Sequence, residues 1–414
     1  RSTLFPYTTL FRSTNLDRPL RGKASVNFLS EMILFSNFNI EWDDMELKGT
    51  GTVSPDLDLH VAFRSVDTDK IVALIPAVAD SDVKGVFDGK LHVMKETSYD
   101  VSGEITSSHG IFSEFPFKSL ETDITYRNDN LTLAGLRVSF FDSPLSGRVS
   151  IVFKKTSPLL SLVLEAKSID TKKLAKKFKW LKDFPGTIDL VSCDLSGPPN
   201  SLSGLVDLQT KVFTIADFDC KEIHAALKVK KSASIAVDFE TFVLASSLAG
   251  SGDITLSPDV NLNVNLTIPT LSLASLGKKY PEIEKFALSG SGSSKVNIRG
   301  PSSNLAYTVR VFFPTLVVSK DHALHEAKGE FIFSQDGFFL KKALAKWNGA
   351  VVTASGNAKE TRPSTARELD FKGNIETLSL STLKEAFPSI GENKITGVLR
   401  GTWALKFVDR KSVV

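Results

Sequence analysis

The chain has 414 residues, with 50 basic and 47 acidic side chains and a formal net charge of +3. That balance excludes a nucleic-acid or anionic-surface binder driven by bulk charge, and two cysteines exclude a disulfide scaffold or a zinc module. No apolar run approaches the roughly 18 residues of a spanning helix, while 29 Phe against 5 Tyr favour apolar over hydrogen-bonding aromatics in a β-rich globular chain.

Residues 1–13 read RSTLFPYTTLFRS and residues 409–414 read DRKSVV. Both resemble translated sequencing-adapter text and are excluded from fold reasoning. The 50 basic residues less Arg1, Arg12, Arg410 and Lys411, and the 47 acidic less Asp409, leave 46 of each, so the remaining chain is neutral. There is no starting Met. The chain is therefore expected to be an internal fragment, with any signal peptide or membrane anchor of its parent lying outside it.

Residues 14–64 are expected to be the end of a partial repeat. Their clearest strand is Leu57-Asp-Leu-His-Val-Ala-Phe63, with Leu57, Leu59, Val61 and Phe63 at every second position. A repeat then starts. Ser65-Val-Asp-Thr-Asp-Lys-Ile71 returns as Ser168-Ile-Asp-Thr-Lys-Lys-Leu174, Thr270-Leu-Ser-Leu-Ala-Ser-Leu276 and Thr377-Leu-Ser-Leu-Ser-Thr-Leu383, at steps of 103, 102 and 107 residues. Such a period sets the architecture before any strand is assigned. It divides the chain into repeats at 65–167, 168–269 and 270–376 and the start of a further one at 377–408. Gly85, Gly186, Gly290 and Gly397 keep the same beat, as do Gly51, Gly147, Gly252 and Gly356, and Gly197-Pro-Pro-Asn returns as Gly300-Pro-Ser-Ser-Asn.

Each repeat is expected to open with one short helix of about ten residues, near Asp67, Asp170, Ala274 and Ser381. Ile71, Leu74 and Ile75 have helical spacing, as do Leu174, Phe178 and Leu181. Pro76, Pro281 and Pro388 stop three of the copies by removing a backbone donor and clashing with the preceding turn. The copy at Lys172, Lys173, Lys176, Lys177, Lys179 and Lys182 is strongly basic. A solvated face is the ordinary role for such a run; contact with acidic headgroups is the functional one. Asp67-Thr-Asp69 lacks the other ligands and the Gly of a calcium loop and suits helix capping instead.

Further strands follow at Leu160-Ser-Leu-Val-Leu164, Ile235-Ala-Val-Asp-Phe239 and Val260-Asn-Leu-Asn-Val-Asn-Leu-Thr-Ile268. Turn signals lie at 128–130, 257–259 and 335–337. The spacing predicts an antiparallel meander of about seven strands per repeat. Cys193 and Cys220 both fall in the second full repeat and read as small buried hydrophobes, with a disulfide between nearby strands as the alternative in an oxidising compartment. Ser289-Gly-Ser-Gly-Ser-Ser294 lacks the third Gly and the βαβ context of a dinucleotide loop. His322 and His325 are three apart, on opposite faces of a strand, so no metal ligand set is expected. No nucleophile elbow or Cys–His pairing occurs, and neither an enzyme nor a cofactor is expected.

A sheet with one apolar face and a single short helix per repeat must bury that face somehow. It can close as a sandwich, pack on another protein, or curl into a trough filled by an apolar ligand. Leu271-Ser-Leu-Ala-Ser-Leu276, Leu288-Ser-Gly-Ser-Gly292 and Val296-Asn-Ile-Arg-Gly-Pro301, with the same style at 188–199 and 378–401, resemble the AsmA-like family of TamB/YhdP-type bridge-like lipid transport proteins. The resemblance covers nearly all of 25–408. It implies an elongated, repetitive antiparallel β-sheet curled into an open hydrophobic groove, with one short helix per repeat of about 103 residues. It implies a non-enzymatic phospholipid conduit in the periplasm of a Gram-negative envelope, its parent anchored in the inner membrane and its partners the inner and outer membranes and an outer-membrane protein. The groove candidates are then Leu57, Leu59, Val61, Phe63, Leu160, Leu162, Leu164, Val260, Leu262, Val264 and Leu266, with Lys172, Lys173, Lys176 and Lys177 as headgroup contacts. The other reading is a structural or assembly factor for the outer membrane or its proteins that acts by pairing at a sheet edge.

Overall fold

A computed structural model describes residues 7–13, 20–28, 32–71, 83–112, 114–154, 157–176, 186–215, 218–231, 233–256, 260–280, 288–319, 322–335, 337–360, 366–380 and 396–410. The chain forms two compact units, Arg1–Gln209 with Val229–Lys231, and Thr210–Lys228 with Ser232–Val414. The first begins with β1 (Tyr7–Ser13), β2 (Leu20–Phe28), β3 (Ile33–Trp42), β4 (Met45–Ser54), β5 (Leu57–Asp67) and α1 (Thr68–Ile71). It continues through β6 (Val83–Lys95), β7 (Tyr99–Phe112), β8 (Phe115–Arg127), β9 (Asn130–Phe140), β10 (Ser143–Val152), β11 (Leu159–Asp170), α2 (Thr171–Leu174) and β12 (Thr187–Gly197). The unit boundary runs through β13 (Ser203–Ile215) and β14 (Phe218–Lys230), inside the second full repeat. The second unit then holds β15 (Ser234–Val243), β16 (Ser246–Thr255), β17 (Asn261–Ser272), α3 (Leu273–Lys279), β18 (Ser291–Pro301) and β19 (Ala306–Ser319). It closes with β20 (His322–Ser334), β21 (Gly337–Trp347), β22 (Ala350–Glu360), β23 (Ala366–Ser379) and β24 (Val398–Arg410).

Every strand from β1 to β12 pairs antiparallel with the next. So does every strand from β15 to β23. Each unit is thus an open, single-layered antiparallel meander with short helices, the mostly β architecture the sequence predicts. Equivalent elements recur every six strands (β5, β11, β17 and β23 each lead to a helix start), not the seven expected. The excess came from assuming short strands; β7 and β19 each run 14 residues. Among the described residues no helix is long and apolar enough to cross a membrane. The adapter-like residues 7–13 form β1 on the edge of β2. An exposed edge accepts any extended segment, so this pairing does not mark a native strand.

The repeated landmarks have physical causes. Gly51, Gly147, Gly252 and Gly356 sit where a Cβ would come within 1.9, 2.1, 2.2 and 2.3 Å of the next strand's carbonyl oxygen. Gly85, Gly186, Gly290 and Gly397 tie down the helix starts. The amides of Thr171, Leu273 and Leu380 donate to the carbonyls of Gly186, Gly290 and Gly397 at 3.1, 3.1 and 3.0 Å, and the Gly85 amide donates to Thr68 Oγ1 at 2.9 Å. Just before each helix the strand is bent. Ser65, Ser168 and Thr377 hold φ near +55°, +54° and +60°, and the register of β5, β17 and β23 slips there. A second kink recurs at Ser119, Glu222 and Glu326, with φ of 52°, 52° and 50°. Bulges of this kind re-aim side chains and deepen twist.

The helices start as capping chemistry predicts in the first two copies. Asp67 Oδ1 accepts the Asp69 amide at 3.0 Å and Asp170 Oδ1 the Lys172 amide at 2.9 Å. In the third copy the cap is Ser272, which accepts from the Ser275 amide at 3.3 Å, so α3 begins before the expected Ala274. Tyr280, before Pro281, is extended at φ −122° and ends α3, as a residue preceding proline should. Pro76, Pro281, Pro388, Leu74, Ile75, Phe178, Leu181 and Ser381 lie outside the described residues. The described parts of α1, α2 and α3 span 4, 4 and 7 residues. These caps and bulges hold the buried sites. The largest fully buried side chains among the described residues are Thr171, the first residue of α2, and Leu378, at the bend before the fourth helix start.

Candidate functional site

The alternating residues of the first unit line up strand after strand. In register, Val61 faces Leu91, then Gly103, Ile124, Leu133, Val149, Leu162, Leu195 and Gly204. One rung along, Leu59 leads through Val93, Val101, Tyr126, Leu131 and Ile151 to Leu160. All of these residues are half-buried rather than sealed. The opposite face carries a matching polar rung: His60, His92, Ser102, Thr125, Thr132, Ser150, Ser161, Ser196 and Ser203. The period-2 pattern on single strands therefore becomes a two-faced sheet. Leu59 and Val61 join Leu160 and Leu162 on shared rungs. Leu57 and Phe63 extend the β5 set and Leu164 the β11 set, all half-buried.

In the second unit, Leu262, Val264 and Leu266 on β17 face Gly300, Ile298 and Val296 on β18. The other side is polar: Arg299 Nε donates to Asn263 Oδ1 at 3.0 Å, and Asn297 Nδ2 to Asn265 Oδ1 at 2.8 Å. Val264 is 8% exposed and Leu266 is half-buried. Val260 keeps the parity of Leu262 and Val264, precedes β17, which starts at Asn261, and is 39% exposed.

Strands β14–β17 and α3 line a half-open apolar cavity of about 480 Å³ within the second unit. Its wall comes from Cys220, Ile223 and Ala225 on β14, Phe239, Thr241 and Val243 on β15, and Ser246 and Leu248 on β16. Leu266, Ile268, Leu271 and Ser272 on β17, Ser275 and Leu276 on α3, and Leu244 in the turn between β15 and β16 complete it. The size falls in the roughly 300–1,000 Å³ range of small-molecule sites. Two of the polar wall groups bond within the protein: Thr241 Oγ1 donates to the Lys221 carbonyl at 2.9 Å, and Ser272 Oγ accepts from the Ser275 amide. Burial pushes the Cys220 thiol above its ordinary pKa, with Asp219 adding to the effect. The wall is neutral and apolar, so a ligand would be held by contact area and shape.

The copies of the repeat differ at this wall. In the first two copies the helix is tied to a hairpin turn by an ion pair, Lys70 to Asp43 and Lys173 to Asp142. In the third copy the turn is Leu244-Ala245, with φ of 51° and 62°, and the helix residue in the lysine's place is Ser275. Leu244 and Ser275 both line the cavity. An apolar turn with the same left-handed backbone stands where the first two copies carry the charged tether.

Sequence reading found Leu266 but missed most of this wall. Cys220 and Ile223 are three apart and still share a face, because Glu222 at φ 52° resets the alternation. Ile268 and Leu271 repeat the pattern across the β17 register slip. Cys193 and Cys220 are both free thiols. Cys193 pairs in register with Leu164 and Val206, and burial raises its pKa, partly offset by a hydrogen bond with the Leu164 backbone.

Of the headgroup candidates, Lys172 and Lys176 are exposed and Lys177 lies outside the described residues. Lys173 is half-buried; its ammonium donates to Asp142 Oδ2 at 2.8 Å and its pKa is raised by that bond. His322 sits edge-on to Trp347, with ring centroids 5.9 Å apart, and His325 Nδ1 lies 3.4 Å from Thr315 Oγ1. The structure does bring together one group the sequence reading missed: Asp58, His60 and His92. No protein-family model, curated protein or solved structure matches the chain.

Proposed function

We propose that the chain is part of a non-enzymatic phospholipid conduit of the AsmA-like type, working in the periplasm between the inner and outer membranes of a Gram-negative envelope. The observation that carries this reading is the neutral apolar cavity under α3, set in a sheet whose apolar face is half-buried without a second layer. Moving one CH₂ out of water is worth about 0.8 kcal/mol, so a 16-carbon chain resists water by roughly 12 kcal/mol. A dry apolar face removes that barrier while a headgroup stays wet at the rim. The wall supports this reading: burial raises the pKa of its thiol, the Thr241 hydroxyl bonds to backbone and the Ser272 hydroxyl caps α3.

The test is a photo-crosslinking residue at Leu266, in the cavity wall, and in parallel at Asn265, on the polar face. The chain is expressed in a bacterial periplasm and irradiated, and the adducts are identified by mass spectrometry. Phospholipid adducts at Leu266 and none at Asn265 are expected. Crosslinks at Leu266 only within the folded chain would mean a dry core and overturn the conduit. Protein adducts in place of lipid would favour the assembly role.

A further inference from the structure

We infer that Asp58, His60 and His92 form a binding site for a divalent transition-metal ion of the zinc class on the polar face of the first unit. The inference does not depend on the lipid reading, since the site lies on the other side of the sheet.

The geometry follows from strand periodicity. Asp58 and His60 are two residues apart on β5 and therefore point to the same face. His92 on β6 is the direct register partner of His60. The three side chains thus meet at one spot. His92 Nε2 lies 2.7 Å from Asp58 Oδ1, and His60 Nε2 lies 4.0 Å from the same oxygen. All three ligand atoms fall within 4.8 Å of one another. The imidazoles are stacked, with centroids 4.1 Å apart and planes 11° from parallel.

Zinc takes imidazole nitrogen at about 2.0–2.1 Å and carboxylate oxygen at about 2.0–2.2 Å, and open sites use three protein ligands with water in the fourth position. Stacked rings hold their lone pairs side by side, so coordination requires them to splay slightly. His60, with its side chain 67% exposed, is free to do so. Two imidazoles and one carboxylate suit zinc, copper or nickel, whereas calcium and magnesium prefer all-oxygen sets. The site opens into a concavity of about 560 Å³ also lined by Thr50, Ser102, Lys48, Lys90 and Glu104, with room for water on the ion. The cationic neighbours are offset: Lys48 pairs with Glu46, and Lys90 faces Glu104 in register.

The experiment uses the full chain without an affinity tag, stripped with a chelator. It is titrated with Zn²⁺ by calorimetry and with Co²⁺ by visible absorption. One ion per chain and d–d bands of nitrogen-ligated cobalt are expected. His60→Ala and His92→Ala should each weaken Zn²⁺ binding by more than about 10-fold, a loss that outer-shell changes alone can reach. His92→Gln keeps a hydrogen-bonding group facing Asp58 but should also lose the ion. A His322→Ala/His325→Ala variant should bind as the parent does. Circular dichroism confirms that each variant is folded. No uptake by the parent chain, or uptake that survives His60→Ala with His92→Ala, would overturn the site and leave the trio as a cross-strand stack braced by Asp58.

Discussion

Asp142 shows how a single exposed carboxylate can organise a repeat. It sits in the turn between β9 and β10, where Phe141 and Asp142 both hold positive φ, 51° and 64°, as a two-residue hairpin of this kind needs. Its oxygens accept from Lys118 and Lys173, each at 2.8 Å, and the bond from Lys118 leads the causes that lower its pKa from 3.8 to about 2. A depressed carboxylate adds stability that is present above its unfolded pKa and lost as pH falls through the folded one. The attachment of α2 should therefore hold above pH 3.8 and fail toward pH 2. Asp142→Asn should abolish that step and expose Lys173 to trypsin at neutral pH. Limited proteolysis read by mass spectrometry checks it, and unchanged cleavage at Lys173 would mean that the tether does not hold the helix.

Among the elements, the helix start is where sequence, backbone and packing agree most closely. Thr171 is fully buried, and its hydroxyl both donates to the Gly186 carbonyl at 2.8 Å and accepts from the Gly186 amide at 2.9 Å. Thr68 makes the same pair of contacts with Gly85. Thr171→Val keeps the shape and removes both hydroxyl bonds; the Gly186 carbonyl keeps the Thr171 amide, but the Gly186 amide is left unpaired, which costs about 1–3 kcal/mol. A lower thermal midpoint for the variant, with Thr171→Ser recovering most of it, is the expected result. Equal loss in both variants would assign the effect to the methyl group instead. Position 171 was visible in the sequence as part of a repeated heptapeptide, but its partner, 15 residues away, was visible only as a repeated glycine. The bond between them needed the fold.

Within each unit, the apolar face is built from rungs that run across many strands. Leu133 lies mid-rung in the first unit, between Ile124 and Val149, with Leu162 one strand further on. If that face carries acyl chains, Leu133→Asp should interrupt it, because a carboxylate cannot share a dry face without a partner. A photo-crosslinker at Leu162 should capture phospholipid in the parent sequence and several-fold less in Leu133→Asp. Equal capture would mean that lipid at Leu162 does not depend on a continuous rung.

The repeat length, the β class and the alternation at Leu57–Phe63, Leu160–Leu164 and Leu262–Ile268 could all be read from the chain alone, because side-chain direction along a strand has period two whatever lies beside it. The repeated glycines were equally visible, since close strand approach leaves no room for a Cβ. What the chain alone could not show was anything that depends on who pairs with whom. Bulges at Glu222 and beyond Ile268 shift the alternation without a composition signal, which hid most of the cavity wall. The exchange of the Asp–Lys tether for Leu244 and Ser275 has meaning only once helix and turn are seen to meet. Asp58 and His60 looked like the outer face of an ordinary strand. His92, 34 residues from Asp58, became their neighbour only through the register of β5 on β6, and register is a property of paired strands rather than of either segment.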